Sequence, residues 1–355
     1  MKKLSIFIAA ICISYTDANA QGCVAIKGTA GICSKPSDAK GWELNLNNRY
    51  FKSYKHFVGT EEQKQREDLG TNVINHSYEL DITATRTINL RWSVAITLPI
   101  MDFKRSSLYE HANVGRFTTG SFGIGDARFS AYRWMFDPKT SHKGNIQLGL
   151  GIKLPTGNYN YQDYFHTKTV DSLLLGPVDQ SIQPGDGGTG ITFELNSFYN
   201  FTPRLGAYGS FFYLSNPRQV NGTSTTRGGV ASASAKKYNT DVMSVPDLFM
   251  TRAGLSYMVH KFNFAGGVRI EGLPSTDLIG GSRGFRRPGY IVSAEPSVTL
   301  VTKKVSFNVA VPFALKRNRT QSNADKRQST DTGTHVQGDA AFADYLISAG
   351  LTFKL

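Results

Sequence analysis

The stretch INLRWSVAITLPI, residues 88–100, places Ile88, Leu90, Trp92, Val94, Ile96, Leu98 and Ile100 on one phase and Asn89, Arg91, Ser93, Ala95, Thr97 and Pro99 on the other. Successive side chains of a strand point to opposite faces, so this period of two makes one face almost purely apolar and leaves the other able to carry charge. Two architectures satisfy the pattern. In a sandwich the apolar face is packed inside; in a transmembrane barrel it meets lipid while the polar face lines the lumen. The rest of the chain decides between them.

The alternation recurs along the whole chain, about twelve times. NIQLGLGIKL (145–154) carries Ile146, Leu148, Leu150, Ile152 and Leu154 on one phase, ITFELNSFYNF carries Ile191, Phe193, Leu195, Tyr199 and Phe201, and DYLISAGLTFKL carries Tyr345, Ile347, Ala349, Leu351, Phe353 and Leu355. The connections alternate too. Short turns (85–87, 137–144, 202–204, 260–261, 302–304) exchange with long polar segments (59–72, 102–121, 157–189, 216–246, 275–288, 316–341). Many long exposed loops are unusual in a compact soluble domain, whereas short turns on one side and long loops on the other are the organisation of an outer-membrane barrel. The sequence therefore predicts an all-β, transmembrane, up-and-down antiparallel β-barrel over 42–355, with periplasmic turns and extracellular loops. Trp42, Trp134, Tyr199, Tyr213, Tyr290 and Tyr345 are placed for interfacial girdles. A secreted sandwich or carbohydrate-binding module is the soluble alternative.

The termini agree. MKKLSIFIAAICISYTDANA (1–20) has Lys2 and Lys3, an apolar run and a small-x-small end, and reads as a Sec signal cleaved after Ala20. The run is too short for a spanning helix. At the other end Tyr345, Ile347, Leu351 and Phe353 resemble the terminal signal read by the barrel assembly machinery, although Lys354 and Leu355 follow the last aromatic. The expected location is the outer membrane of a Gram-negative bacterium.

Cys12 leaves with the leader, so Cys23 and Cys33 remain. An even pair in an exported chain reads as a disulfide closing a short loop, with two free thiols as the alternative. No metal site and no cofactor are expected. Residues 21–41 form an N-terminal periplasmic segment that either tethers at the surface or folds into the lumen as a plug.

The mean hydropathy is −0.27 and the formal net charge +13. On an exported barrel such a charge suits an anionic membrane surface rather than nucleic acid. Arg283, Arg286, Arg287, Lys236, Lys237, Lys316, Arg317, Arg319, Lys326 and Arg327 lie in loops that would meet the phosphates of lipopolysaccharide.

The phase opposite the lipid face carries Arg49, Glu79, Asp81, Arg91, Asp126, Arg128, Lys153, Glu194, Arg252, Arg269, Glu271 and Glu295, balanced in sign. Strand direction places Arg128, Lys153, Glu194, Arg252, Arg269, Glu271 and Glu295 in the middle-to-outer half. Opposed charges on a lumen wall make a constriction with a transverse field that orients polar solutes. The competing reading is an ion-paired, filled interior with no path.

GSFGIGDARFSAYRWMF (120–136), GNIQLGLGIKLPTGNYN (144–160) and DQSIQPGDGGTGITFEL (179–195) resemble the outer-membrane barrels of the MetA-pathway of phenol degradation family, in which these Gly-Asp, Leu-Pro-Thr-Gly and Gly-rich strand ends recur in this order. The resemblance covers residues 120–200 and elsewhere only the architecture. It implies passage of small, partly hydrophobic or aromatic compounds across the outer membrane, and no catalytic residues.

A channel for passive uptake of such solutes is thus the leading expectation, and a closed-lumen structural or surface-binding barrel the second. An outer-membrane hydrolase is the third. Barrel hydrolases use a His with Ser or Asp near the outer rim. The seven histidines are scattered, and His166 beside Asp163 and Asp171 is the best candidate among them.

Overall fold

The computed structural model describes residues 41–355; the expected leader 1–20, residues 21–40 of the N-terminal segment, Cys23 and Cys33 lie outside the described residues. The barrel strands are β1 (Gly41–Val58), β2 (Ile74–Thr87), β3 (Trp92–Ser107), β4 (Phe117–Ile124 continued by Arg128–Trp134), β5 (Gly144–Lys153) and β6 (Gly190–Asn200). They continue as β7 (Leu205–Ser215), β8 (Leu248–Val259), β9 (Phe262–Leu273), β10 (Gly289–Ala294 continued by Ser297–Val301), β11 (Val305–Ala310 continued by Phe313–Arg319) and β12 (Ala340–Lys354). Each pairs antiparallel with the next, and β12 pairs with β1 from Glu43↔Lys354 to Phe57↔Ala340, closing a 12-stranded barrel. Closure leaves no unpaired edge, which is what hydrocarbon demands of a sheet.

The interruptions of β10 and β11 fall at Glu295-Pro296 and Val311-Pro312, where proline has no N–H to donate to a ladder. The turns and loops alternate as expected. Two loops add hairpins of their own, Gln162–His166 with Leu173–Pro177 and Val220–Ser224 with Val242–Ser244.

On β3 the answer to the opening stretch is direct. Trp92, Val94 and Ile96 are 43%, 40% and 40% exposed on the outside, while Thr97 is 5% exposed inside. The apolar face therefore faces lipid. Leu150, 61% exposed on the same belt, gives a prediction: Leu150→Arg should destabilise the barrel in a bilayer by about 2–4 kcal/mol if it lies near the midplane. The urea midpoint of refolding in vesicles checks this, and no shift would contradict the lipid-facing assignment.

Three local expectations are corrected. The first periplasmic turn is Ile88–Arg91, not 85–87: the Asn89 side-chain oxygen accepts from the backbone N–H groups of Arg91 and Trp92 and stops the strand there. Arg91 consequently leaves the lumen and lies 3.6 Å from Asp137 in the turn region. Trp134 is buried inside against Phe198, edge to face, because it shares the inward phase of Arg128, Ser130 and Tyr132, and it does not belong to a girdle.

One inversion shapes the interior. Beyond Ile100 the faces of β3 exchange character: Asp102 and Lys104 are exposed while Met101 and Phe103 are buried. The same apolar interior continues with Phe212, Leu214 and Met250. The inner wall there therefore combines an apolar patch with buried polar side chains such as Arg105 and Ser107.

Candidate functional site

The lumen charges sort into ion-paired groups set by register. Arg49 on β1 faces Glu79 at 2.5 Å and Asp81 at 3.2 Å on β2. Arg128 on β4 reaches Glu194 on β6 at 3.8 Å, and the Tyr132 hydroxyl donates to the same carboxylate at 3.1 Å. On β8, β9 and β10, Arg269 grips Glu271 through two nitrogens at 2.7 and 3.0 Å and meets Glu295 at 3.4 Å, while Arg252 lies 3.6 Å from Glu295. Residues two apart on one strand share a face, which is why Arg269 and Glu271 meet.

Lys153 does not join any of these. It pairs with Asp126 at 3.1 Å and with Asp186, a residue of the long loop after β5. Of the seven residues singled out from the sequence, Arg252, Arg269, Glu271 and Glu295 thus form one cluster and Arg128 and Glu194 a second. Lys153 anchors a loop.

That loop, 154–189, folds over part of the outer side. Its Val178 and Ile182 are fully buried against Met101 and Phe103, with Tyr161 packed on the cluster. Burying two such side chains contributes about 1.5–3 kcal/mol each. The Ser121 hydroxyl donates to the Ile182 carbonyl, and the Gln180 side chain donates to the Ser244 carbonyl at 2.9 Å, joining this loop to the next.

Its outer latch is ionic. Arg105 chelates Glu110 at 2.9 and 3.0 Å and lies 3.6 Å from Asp179; Arg287 pairs with Asp179, and Arg227 pairs with Glu110 at 2.9 Å. Burial pushes the Asp179 carboxyl up, but the Arg105 and Arg287 guanidiniums outweigh it and hold it well below the usual carboxylate range. A depressed carboxylate contributes stability above its unfolded value, about 3.9, that is lost as pH falls through the folded one. Protease accessibility of loop 154–189 should therefore differ between wild type and Asp179→Asn equally at pH 8 and pH 5, the difference vanishing only in strong acid. A difference that closes by pH 5 would contradict the latch.

Above the charged belt and under this loop lies a cavity of about 170 Å³, with Phe51, Met101, Phe103, Phe212, Leu214 and Leu273 among its walls and Arg49, Glu79, Asp126, Arg128, Lys153 and Asp186 on its polar side. On the periplasmic side a second cavity of about 310 Å³ is lined by Arg252, Glu295, Ser297, Thr299 and Asn308. The sequence reading missed the loop, Asp186 and the apolar wall. The signal available for the wall was the phase exchange after Ile100.

His166 is engaged in packing: its ring stacks on Phe117 at 3.6 Å, and its Nδ1 lies 2.6 Å from the Val170 carbonyl oxygen. Among the described residues no group of three or more His, Cys, Asp or Glu side chains could hold a metal ion. Several basic loop residues are turned to internal partners, contrary to a surface wholly directed at lipid phosphate: Arg286 is buried on Asp277, Arg319 is buried on Asp325, and the half-buried Arg287 pairs with Asp179. Lys236, Lys316 and Lys326 remain exposed.

A closed barrel with an apolar exterior, an ion-paired lumen and loops folded over one mouth defines an outer-membrane β-barrel. An outer-membrane channel from Pseudomonas putida F1 has a similar structure, with a TM-score of 0.58 at 9% identity over 92% of this chain and 100% of that one. A FadL homologue from Pseudomonas aeruginosa aligns at 9% identity over 94% and 99% of the two chains with a TM-score of 0.45. The toluene transporter TodX from Pseudomonas putida aligns at 8% over 95% and 96% with 0.43. No family model and no curated protein matches the sequence.

Proposed function

We propose that this chain is an outer-membrane channel for passive uptake of small aromatic or hydrophobic solutes. The observation that carries the reading is the apolar-walled cavity of about 170 Å³, stacked above ion-paired charges and a second, periplasmic cavity of about 310 Å³ inside one closed barrel. An apolar chamber with a few convergent polar groups is the usual form of a small-molecule site. Arg128, Glu194, Arg252, Arg269, Glu271 and Glu295 form the constriction between the chambers, and Lys153 holds the loop above it. The stretch 120–200 that resembles the phenol-degradation family includes that loop, and the resemblance supports the same solute class. The Sec leader, the terminal assembly signal and the exposed loop lysines fit assembly into the outer membrane next to lipopolysaccharide. The reading makes the chain a conduit rather than a hydrolase.

The second reading, a barrel with a filled lumen, is favoured by one observation: every belt carboxylate named here has a cationic neighbour within 4 Å. Ion selectivity in planar bilayers separates the two. Arg252→Ala should shift selectivity toward cations and Glu295→Ala toward anions if the belt lines the path. Unchanged selectivity in both would reject that assignment.

A further inference from the structure

The chamber presents both signs of charge, so charge alone selects nothing; hydrogen-bonding capacity does. Its carboxylates are each ion-paired. Asp126 accepts from Lys153 at 3.1 Å and from the backbone N–H groups of Gly157 at 3.0 Å and Asp186 at 3.2 Å. Asp186 accepts from Lys153, from the Gly188 N–H at 2.8 Å and from the Asn216 amide at 3.5 Å. Glu79 is ion-paired with Arg49 at 2.5 Å.

Two donors lack hydrogen-bond partners. The Arg128 guanidinium makes no hydrogen bond among the described residues: Glu194 stands at 3.8 Å, and the group lies over the Phe212 ring, 5.3 Å from its centroid. The Thr192 hydroxyl, on a residue 1% exposed, also has no partner, and both residues line the chamber. Buried polar groups without partners are costly, and a ligand that satisfies them gains what the protein alone leaves unmade.

We propose that the chamber is a binding site for a small arene bearing a carboxylate, the acid group held by Arg128 and Thr192 and the ring by the apolar wall. The proposal rests on the uptake reading and names its solute class. A planar guanidinium presents its N–H groups in the spacing of a carboxylate, and its position over the Phe212 ring places it beside the apolar wall. A cavity of about 150 Å³ holds one benzene ring, so about 170 Å³ suits a monocyclic acid. The basic excess, +13 over the full sequence and +12 without the expected leader, favours anions.

Isothermal titration of the full mature chain in detergent with benzoate, benzyl alcohol and benzylammonium tests it. Benzoate should bind at least tenfold more tightly than the other two. Arg128→Gln should weaken benzoate tenfold or more and leave benzyl alcohol unchanged, with Arg128→Lys intermediate. Thr192→Val, which removes an unpartnered hydroxyl and keeps the shape, should weaken benzoate several-fold, and it decides the matter if Arg128→Gln does not fold. Equal affinities for the three probes, or benzoate binding unchanged by the deciding variant, would overturn the proposal. If the chain conducts and binds benzyl alcohol without preferring benzoate, only the acid preference falls; if it neither conducts nor binds any ring, the uptake reading falls with it.

Discussion

Excising residues 158–184 and joining Gly157 to Gly185 through two glycines is expected to raise the single-channel conductance of the barrel several-fold. The ends of the excised segment already touch: a Cβ added to Gly157 would stand 2.8 Å from the Gly185 Cα, and the Gly185 N–H donates to the Asn158 carbonyl at 3.1 Å. The deletion removes Val178, Asp179 and Ile182, and with them both the apolar seat on Met101 and Phe103 and the ionic latch to Arg105 and Arg287. Asp186 stays on Lys153, and no barrel strand is shortened. The variant should keep the heat-modifiable mobility of a folded barrel. Conductance unchanged in such protein would mean that the loop does not limit the path.

The second large effect is on stability. Arg269 is 2% exposed and is the two-nitrogen partner of Glu271 and a partner of Glu295. Removing one member of a buried pair leaves an uncompensated charge and typically costs about 3–5 kcal/mol. Arg269→Met should therefore lower the urea midpoint markedly. Arg269→Met with Glu271→Gln should recover most of the loss, because the stranded carboxylate is gone and Glu295 retains Arg252. If the double variant is no more stable than the single one, the cost is not that of a stranded charge.

The fold was legible because lipid-facing strands carry their address locally. Each residue's face follows from its neighbours one and two positions away, as Trp92 to Ile100 show, and closure of an alternating meander adds little freedom. The short-turn boundary at Ile88–Arg91 escaped because Ile88 and Leu90 continue the apolar phase through the turn, while the Asn89 side chain that stops the strand leaves no mark on periodicity.

The lumen was legible in the same measure. Arg269 and Glu271 share a face by spacing alone, and Glu295 comes to them through the β9–β10 pairing of Arg269 with Ser293. The Lys153–Asp186 and Arg105–Asp179 contacts were not legible, since they join a strand to a loop whose path is decided by packing of Val178 and Ile182 on distant residues. Among the described residues, loop 154–189 and the loop carrying Asn221, Met243 and Ser244 both line the chamber at the mouth. The apolar upper interior could have been read from Met101 and Phe103, had the inward phase been followed past Ile100.

The most direct test of the account is entry of a labelled monocyclic arene into porin-depleted Gram-negative cells expressing this chain or its Leu214→Trp variant. Leu214 lines the chamber and is 4% exposed, so an indole there fills the space a solute would occupy. The account predicts that the wild-type chain accelerates entry over cells without it and that the variant, assembled to the same level, does not. Entry no faster with the wild-type chain than without it, or equally fast with the chamber filled, would contradict the claim that solutes pass through this chamber.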